Sequence, residues 1–182
     1  MQKFRSSLRR LANVRTLVAL ACLTGLQVAL KLVVSIQVTD TIRISLDYLV
    51  HVAASALFGP ASGILCGAAG DLLGFLVHPT GAFNPGFTLS AMMNGFLYGM
   101  MLYERPFSWK RTLLAQAMVV VITNLCMNTL WLQLYYGKAF FALLPARALK
   151  NLIQYPVDAA MMCALLSQLP RLAKLARIDA AR

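Results

Sequence analysis

Apolar residues in this chain fall in long runs that are apolar on every side, separated by short segments rich in charge, proline or glycine. The runs are Val14–Val34, Leu46–Val77, Phe87–Tyr103, Thr112–Tyr135 and Leu143–Leu169. Helices without a polar face need lipid or protein around them, not water. The Leu46–Val77 run is interrupted by Phe58-Gly59-Pro60, whose chemistry breaks a helix, so it is expected to form two helices. Residues 14–34, 43–58, 60–77, 87–104, 112–135 and 143–169 are therefore expected to be six spans of a single membrane domain. The stretch from Leu46 to Leu57 is short for a core of ~30 Å at ~1.5 Å per residue. That helix either begins nearer Thr41 or is mostly surrounded by protein. A bend is expected at Pro156 of the last span.

Composition agrees with the runs. The 182 residues are 59% hydrophobic and only 13% charged, too little charge to cover a soluble domain. The fold class expected is an all-α integral membrane protein. The net charge of +11 could suggest nucleic acid, but the cations flank apolar runs and carry no RNA- or DNA-binding motif. Twelve of the seventeen Lys and Arg residues lie in the N-terminal tail, the Arg105–Arg111 connection and the C-terminal tail. With six crossings these segments share one side, which the positive-inside rule makes cytoplasmic, and both termini with them. The N-terminal basic segment followed by Leu17–Leu30 has the layout of a signal peptide but no A-x-A cleavage site, so a retained first span is expected. The four cysteines lie inside expected helices without ligand spacing and read as small packing residues, with no metal or cofactor expected.

The other five cations are Lys31, Arg43, Lys138, Arg147 and Lys150, all on the outer half, where the orientation rule gives them no purpose. They surround the chain's densest polar stretch. Asn124, Asn128, Trp131 and Tyr135 recur at spacings that share a helix face, and Arg147, Asn151, Gln154 and Asp158 repeat the pattern, with Lys150 beside them. Amides pair with heterocycle edges, aromatic rings stack on them, and cations hold carboxylates. Together they suggest a pocket for a flat organic anion. The alternative for each residue alone is interhelical packing or an interfacial anchor. Asp71 within the third span needs a partner or a role. Ala21, Gly25 and Ala29, four residues apart, form a groove for close helix approach, and packing within this chain would explain it equally well. His78 to Gly86 is a turn-rich external loop containing Pro79, Gly81, Pro85 and Gly86, suited to covering a site.

Three segments carry a resemblance: IRISLDYLVHVAASALFGPASG, GDLLGFLVHPTGAFNPGFTLSAMMNGFLYGMML and NTLWLQLYYGKAFFALLPARALKNLI. They resemble the folate-specific substrate-binding subunit of energy-coupling factor (ECF) vitamin transporters, with PGFTLSA and YGKAFFALLPARALKNL the specific strings. The resemblance implies a six-helix subunit and an external vitamin pocket closed by the loops Ser35–Ile42 and His78–Pro85. It also implies partnership with a membrane scaffold protein and two cytoplasmic ATPases, with transport by toppling of the subunit. The family's Ala-x-x-x-Ala scaffold-docking motif corresponds here to Ala21 through Gly25, with Gly in the second place. Taken with the stripes, the resemblance implies that Asn128 and Asn151 hydrogen-bond the pterin and that Trp131 stacks on an aromatic ring. Arg43, Arg147 or Lys150 would attract the glutamyl carboxylates, and Phe87 would pack from the loop side. The chain has no Gly-x-x-x-x-Gly-Lys-Ser/Thr loop, so ATP hydrolysis falls to the partners.

Three other readings compete. An intramembrane enzyme would need HExxH, paired carboxylates, or a Ser or Cys set with a His, and none is present; His51 and His78 read as packing or loop residues. A related subunit for another vitamin, such as pantothenate, stays open, although the outward cations argue against a cationic ligand. A purely structural assembly subunit would leave the polar stripes without a purpose.

Overall fold

The computed structural model describes residues 2–11, 13–33, 36–37, 43–44, 46–77, 79, 83–137 and 140–175. They form α1 (Gln2–Leu11), α2 (Val14–Val33), α3 (Asp47–Phe58), α4 (Pro60–Val77), α5 (Pro85–Leu102), α6 (Trp109–Val119), a π-helical segment (Val120–Met127), α7 (Asn128–Tyr136) and α8 (Phe140–Leu175). Between α2 and α3 lies a two-residue antiparallel ribbon, β1 (Ile36–Gln37) with β2 (Arg43–Ile44), pairing Ile36 with Ile44 and Gln37 with Arg43. By length and composition, Val14–Val33, Pro60–Val77 and Trp109–Tyr135 are long and apolar enough to cross a membrane, among the described residues.

The core centres on α3. Val52, Ala54 and Phe58 pack with Cys66 of α4, Tyr98 of α5, Ala115 of α6 and Met162 of α8. The helix of the second expected span, α3, begins at Asp47, not at 43 as the sequence suggested, because residues 43–44 are taken by the ribbon. At twelve residues α3 is about 18 Å long. Eight of those residues are buried, so of the two options for a short helix the structure takes the protein-surrounded one. Gly63 of α4 faces the Gly95 carbonyl of α5, where an added Cβ would stand 2.5 Å from the oxygen, and the two backbones touch.

The break between α3 and α4 is where the sequence placed it. Gly59 has φ 95°, in the region that favours glycine, and its N–H reaches the Ser55 carbonyl at 3.0 Å. What the sequence did not reveal is that the basic N-terminal tail is itself a helix docked on this break. The fully buried Ser7 hydroxyl donates to the Phe58 carbonyl at 2.8 Å and accepts from the Ala61 N–H at 3.2 Å. Those are groups that a helix end and a helix start leave open. Ser6 donates to Glu104 at 3.3 Å, so α1 also touches the turn after α5. α8 runs as one 36-residue helix through both Pro145 and Pro156.

Candidate functional site

The two polar stripes meet. The Asn124 amide donates to Asn151 Oδ1 at 3.2 Å, and Asn128 donates to Asn124 Oδ1 at 3.4 Å. Asn151 donates to the Arg147 carbonyl at 2.9 Å, and Arg147 Nη1 reaches back to the Asn124 carbonyl at 3.5 Å. Asn124 lies in the π-helical segment, whose i→i+5 pattern loosens the carbonyl ladder and is frequent at functional sites. The Arg147 guanidinium thus reaches that carbonyl with one of its five N–H groups. Lower in α8 the stripe turns to a different neighbour, where the Asp158 carbonyl accepts from Tyr48 of α3 at 3.1 Å.

Interhelical amide pairs alone would be structural glue, but this network is incomplete. Asn128 Oδ1 and Trp131 Nε1 are buried and have no hydrogen-bond partner among the described residues. In apolar surroundings such an atom costs ~1–3 kcal/mol by mutational measures. One acceptor and one donor are therefore presented from α7, beside amides already held in place.

The start of α5 closes on the same spot. The Asn84 side chain caps α5 by accepting from the Gly86 N–H at 2.8 Å, the pattern expected of Asn before a Pro at the first helical position. This puts Gly86 against the Trp131 indole so closely that a Cβ there would run into the ring. Phe87 is half-buried one residue on, and Trp131 lies 6.4 Å from the exposed Tyr135 ring, centroid to centroid. Pro85 is exposed, as is Pro79. Gly81 and Lys138 lie outside the described residues, and so does the Arg43 side chain, whose backbone sits in β2. Lys150 is half-buried on α8.

Two sequence expectations change. Lys31, counted among the purposeless outer cations, lies 3.9 Å from Asp71, and Thr88 of α5 donates to Asp71 at 2.7 Å. The cation thus has a partner within the chain, and the α4 carboxylate has two. Ala21, Gly25 and Ala29 are exposed on α2, and a Cβ at Gly25 would meet nothing within 4 Å. Among the described residues, packing within the chain therefore does not cover that groove. His51 has the packing role expected of it, buried with Nε2 3.1 Å from the Gly63 carbonyl.

Sequence reasoning missed Ser90 and Asn94 on α5. The Ser90 hydroxyl and Asn94 Oδ1 are buried without a partner among the described residues. The available signal was their spacing of four and eight residues from Gly86, in a largely apolar run.

A family model described as the substrate-specific component of ECF transporters matches residues 15–166. A protein of Clostridium novyi (strain NT) named folate transporter FolT is 37% identical over 150 residues, covering 82% of this chain and 87% of the relative. A protein of Leuconostoc mesenteroides with the same name is 30% identical over 162 residues, covering 85% and 86% respectively. Among solved structures, FolT bound with folic acid superposes with a TM-score of 0.78 at 27% identity, covering 86% of this chain and 95% of that one. The S-component for biotin from an ECF-type ABC transporter superposes at 0.65 with 19% identity, covering 88% and 92%, a likeness of fold alone.

Proposed function

The chain belongs to the substrate-specific components of ECF transporters, and we propose on that premise that it captures external folate with high affinity and delivers it across the cell membrane. The observation that carries the ligand is the incomplete polar network of α5, α7 and α8, in a chain 37% identical to a protein named as a folate transporter. A pterin is flat and bears N–H donors beside ring acceptors, which suits the acceptor of Asn128, the amide of Asn151 and the indole of Trp131. Stacking on Trp131 would add apolar area and geometric selection. The glutamyl end carries the charge, and Arg147, Lys150 and Arg43 are its expected partners. Phe87 would press on the ligand from the loop side, with Pro79, Gly81, Pro85 and Gly86 shaping the cover.

Six crossings with both termini in the cytoplasm are the topology we propose, supported by the distribution of cations. Docking of α1 on the α3–α4 break supports it too, since that break and the turn after α5 then lie on the same side. The subunit would work with a membrane scaffold and two cytoplasmic ATPases that supply ATP hydrolysis. The groove of Ala21 and Gly25, exposed among the described residues, is the proposed scaffold contact. Toppling within that complex would expose the site to the cytoplasm. The test is uptake of labelled folate by cells lacking their own folate uptake, carrying the scaffold and ATPases with or without this chain. Uptake that depends on the chain is expected. Chain-dependent uptake of a different vitamin, with none of folate, would overturn the ligand.

A further inference from the structure

Buried hydroxyls in this fold follow a local rule that a few of them break. Thr24, Ser55, Ser62 and Thr112 each donate to the carbonyl four residues earlier, at 2.8–3.2 Å. That is the usual way for a helix to satisfy a hydroxyl in apolar surroundings. Ser90, although only 3% exposed, makes no such bond, and neither does the buried Thr123 of the π-helical segment. Asn94 Oδ1, one turn beyond Ser90, is likewise buried and unpaired among the described residues.

Two contacts fix where these atoms lie. At the outer end Gly86 abuts Trp131, and further in Tyr98 donates to Gln116 Oε1 at 2.6 Å. α5 therefore runs antiparallel to α6–α7, and interpolation between the two contacts brings Ser90 level with about residues 124–127 and Asn94 with about 120–123. Ser90 is thus at the height of the Asn124–Asn128–Asn151 amides, and Asn94 lies about one helical turn deeper. Direction follows from the helical period. Measured from Gly86, Ser90 and Asn94 stand at about 40° and 80°, and Tyr98 at about 120°. Both thus lie in the arc bounded by the two residues that touch α6–α7. The α4-facing positions Gly95 and Gly99 lie beyond that arc.

We propose that Ser90 and Asn94 are specificity-determining contacts for the deepest part of the ligand, where they receive the amino and ring N–H edge of its heterocycle. The inference rests on the folate reading above and adds to it an orientation: pterin inward, against α5, with the glutamyl end toward the outer loops. The chemistry is complementary. Asn94 Oδ1 is an acceptor, the Ser90 hydroxyl accepts or donates, and Asn128 Oδ1 is a second acceptor. A site built to accept from an N–H edge discriminates strongly against an analogue lacking it, because buried acceptors are then left unpaired.

The test is equilibrium binding by the purified full-length chain in detergent, with folic acid and an analogue whose 2-amino group is replaced by methyl. The unmodified chain is expected to bind the analogue about 10- to 100-fold more weakly than folic acid. Asn94→Leu, which keeps the branched shape, and Ser90→Ala are expected to weaken folic acid by a similar factor. In Asn94→Leu the discrimination between the two ligands should shrink to a few-fold, an effect that loss of packing alone would not produce. Folic acid affinity within twofold of the unmodified chain in both variants, or discrimination fully retained in Asn94→Leu, overturns the inference and leaves the folate reading standing. Should Asn94→Leu fail to fold, Asn94→Ala, which also removes the acceptor, carries the same comparison together with Ser90→Ala. If the unmodified chain does not bind folic acid at all, the folate reading fails and the inference with it.

Discussion

Gly86→Ala isolates the contact that joins the loop side of the site to its aromatic platform. A Cβ at this position would stand 2.8 Å from Trp131 Cε2, and other ring atoms are nearer. Carbon contacts settle at ~3.5–4.0 Å, so the indole must withdraw by about 1 Å. Overpacking of this kind costs ~1–3 kcal/mol. Against it stands a helix-propensity gain of up to ~1 kcal/mol on replacing Gly by Ala, with no backbone strain, because Gly86 is helical. Stability should therefore change little, while a displaced platform should weaken folate by roughly 10- to 100-fold at about 1.4 kcal/mol per decade. Titration calorimetry and thermal unfolding on the same preparation separate the two quantities. The effect must also depend on the ring, so in a Trp131→Leu background Gly86→Ala should have almost no further effect. Affinity within twofold of the unmodified chain, or an equal loss in the Trp131→Leu background, would refute the reasoning.

Other perturbations probe the remaining joints. Ser7→Ala removes both hydrogen bonds by which Ser7 ties α1 to the α3–α4 break and should lower stability by ~1–3 kcal/mol, read as a lower unfolding temperature; an unchanged midpoint would mean α1 is not docked there. Lys31→Met should destabilise by leaving Asp71 with Thr88 alone, and adding Asp71→Asn should recover most of the loss in the same unfolding assay. Gly25→Leu fills a face that none of the described residues covers, so folate binding by the isolated subunit should be unchanged while uptake with the scaffold and ATPases falls at least tenfold. Equal loss of binding and uptake would place that face inside the subunit's own packing.

Much of this was legible because helical spacing and apolar runs are local signals. Asn124, Asn128 and Asn151 could be assigned to facing stripes from their intervals, and the chain does bring them together. Phe58-Gly59-Pro60 announced its break in the same way. What was not legible depends on pairing across the sequence. Ser7 looked like part of a basic tail, since nothing near it records that Phe58 and Ala61 need a partner. Lys31 looked like an unassigned outer cation because its carboxylate lies forty residues away on α4. The π-helical segment leaves no mark on a run that is apolar on every side, because such a run shows no period that would tell an i→i+5 ladder from an i→i+4 one. Ser90 and Asn94 read as incidental polar residues until their lack of partners set them apart from the four hydroxyls that bond locally.

The most direct measurement is equilibrium binding of folic acid to the purified chain alone, without ATP or partner subunits, with pantothenate, thiamine and riboflavin as competitors. Tight one-to-one binding that the three competitors do not displace, weakened by Trp131→Ala, is the expected result. Absence of folate binding, or displacement by one of the other vitamins at comparable concentration, would contradict the account.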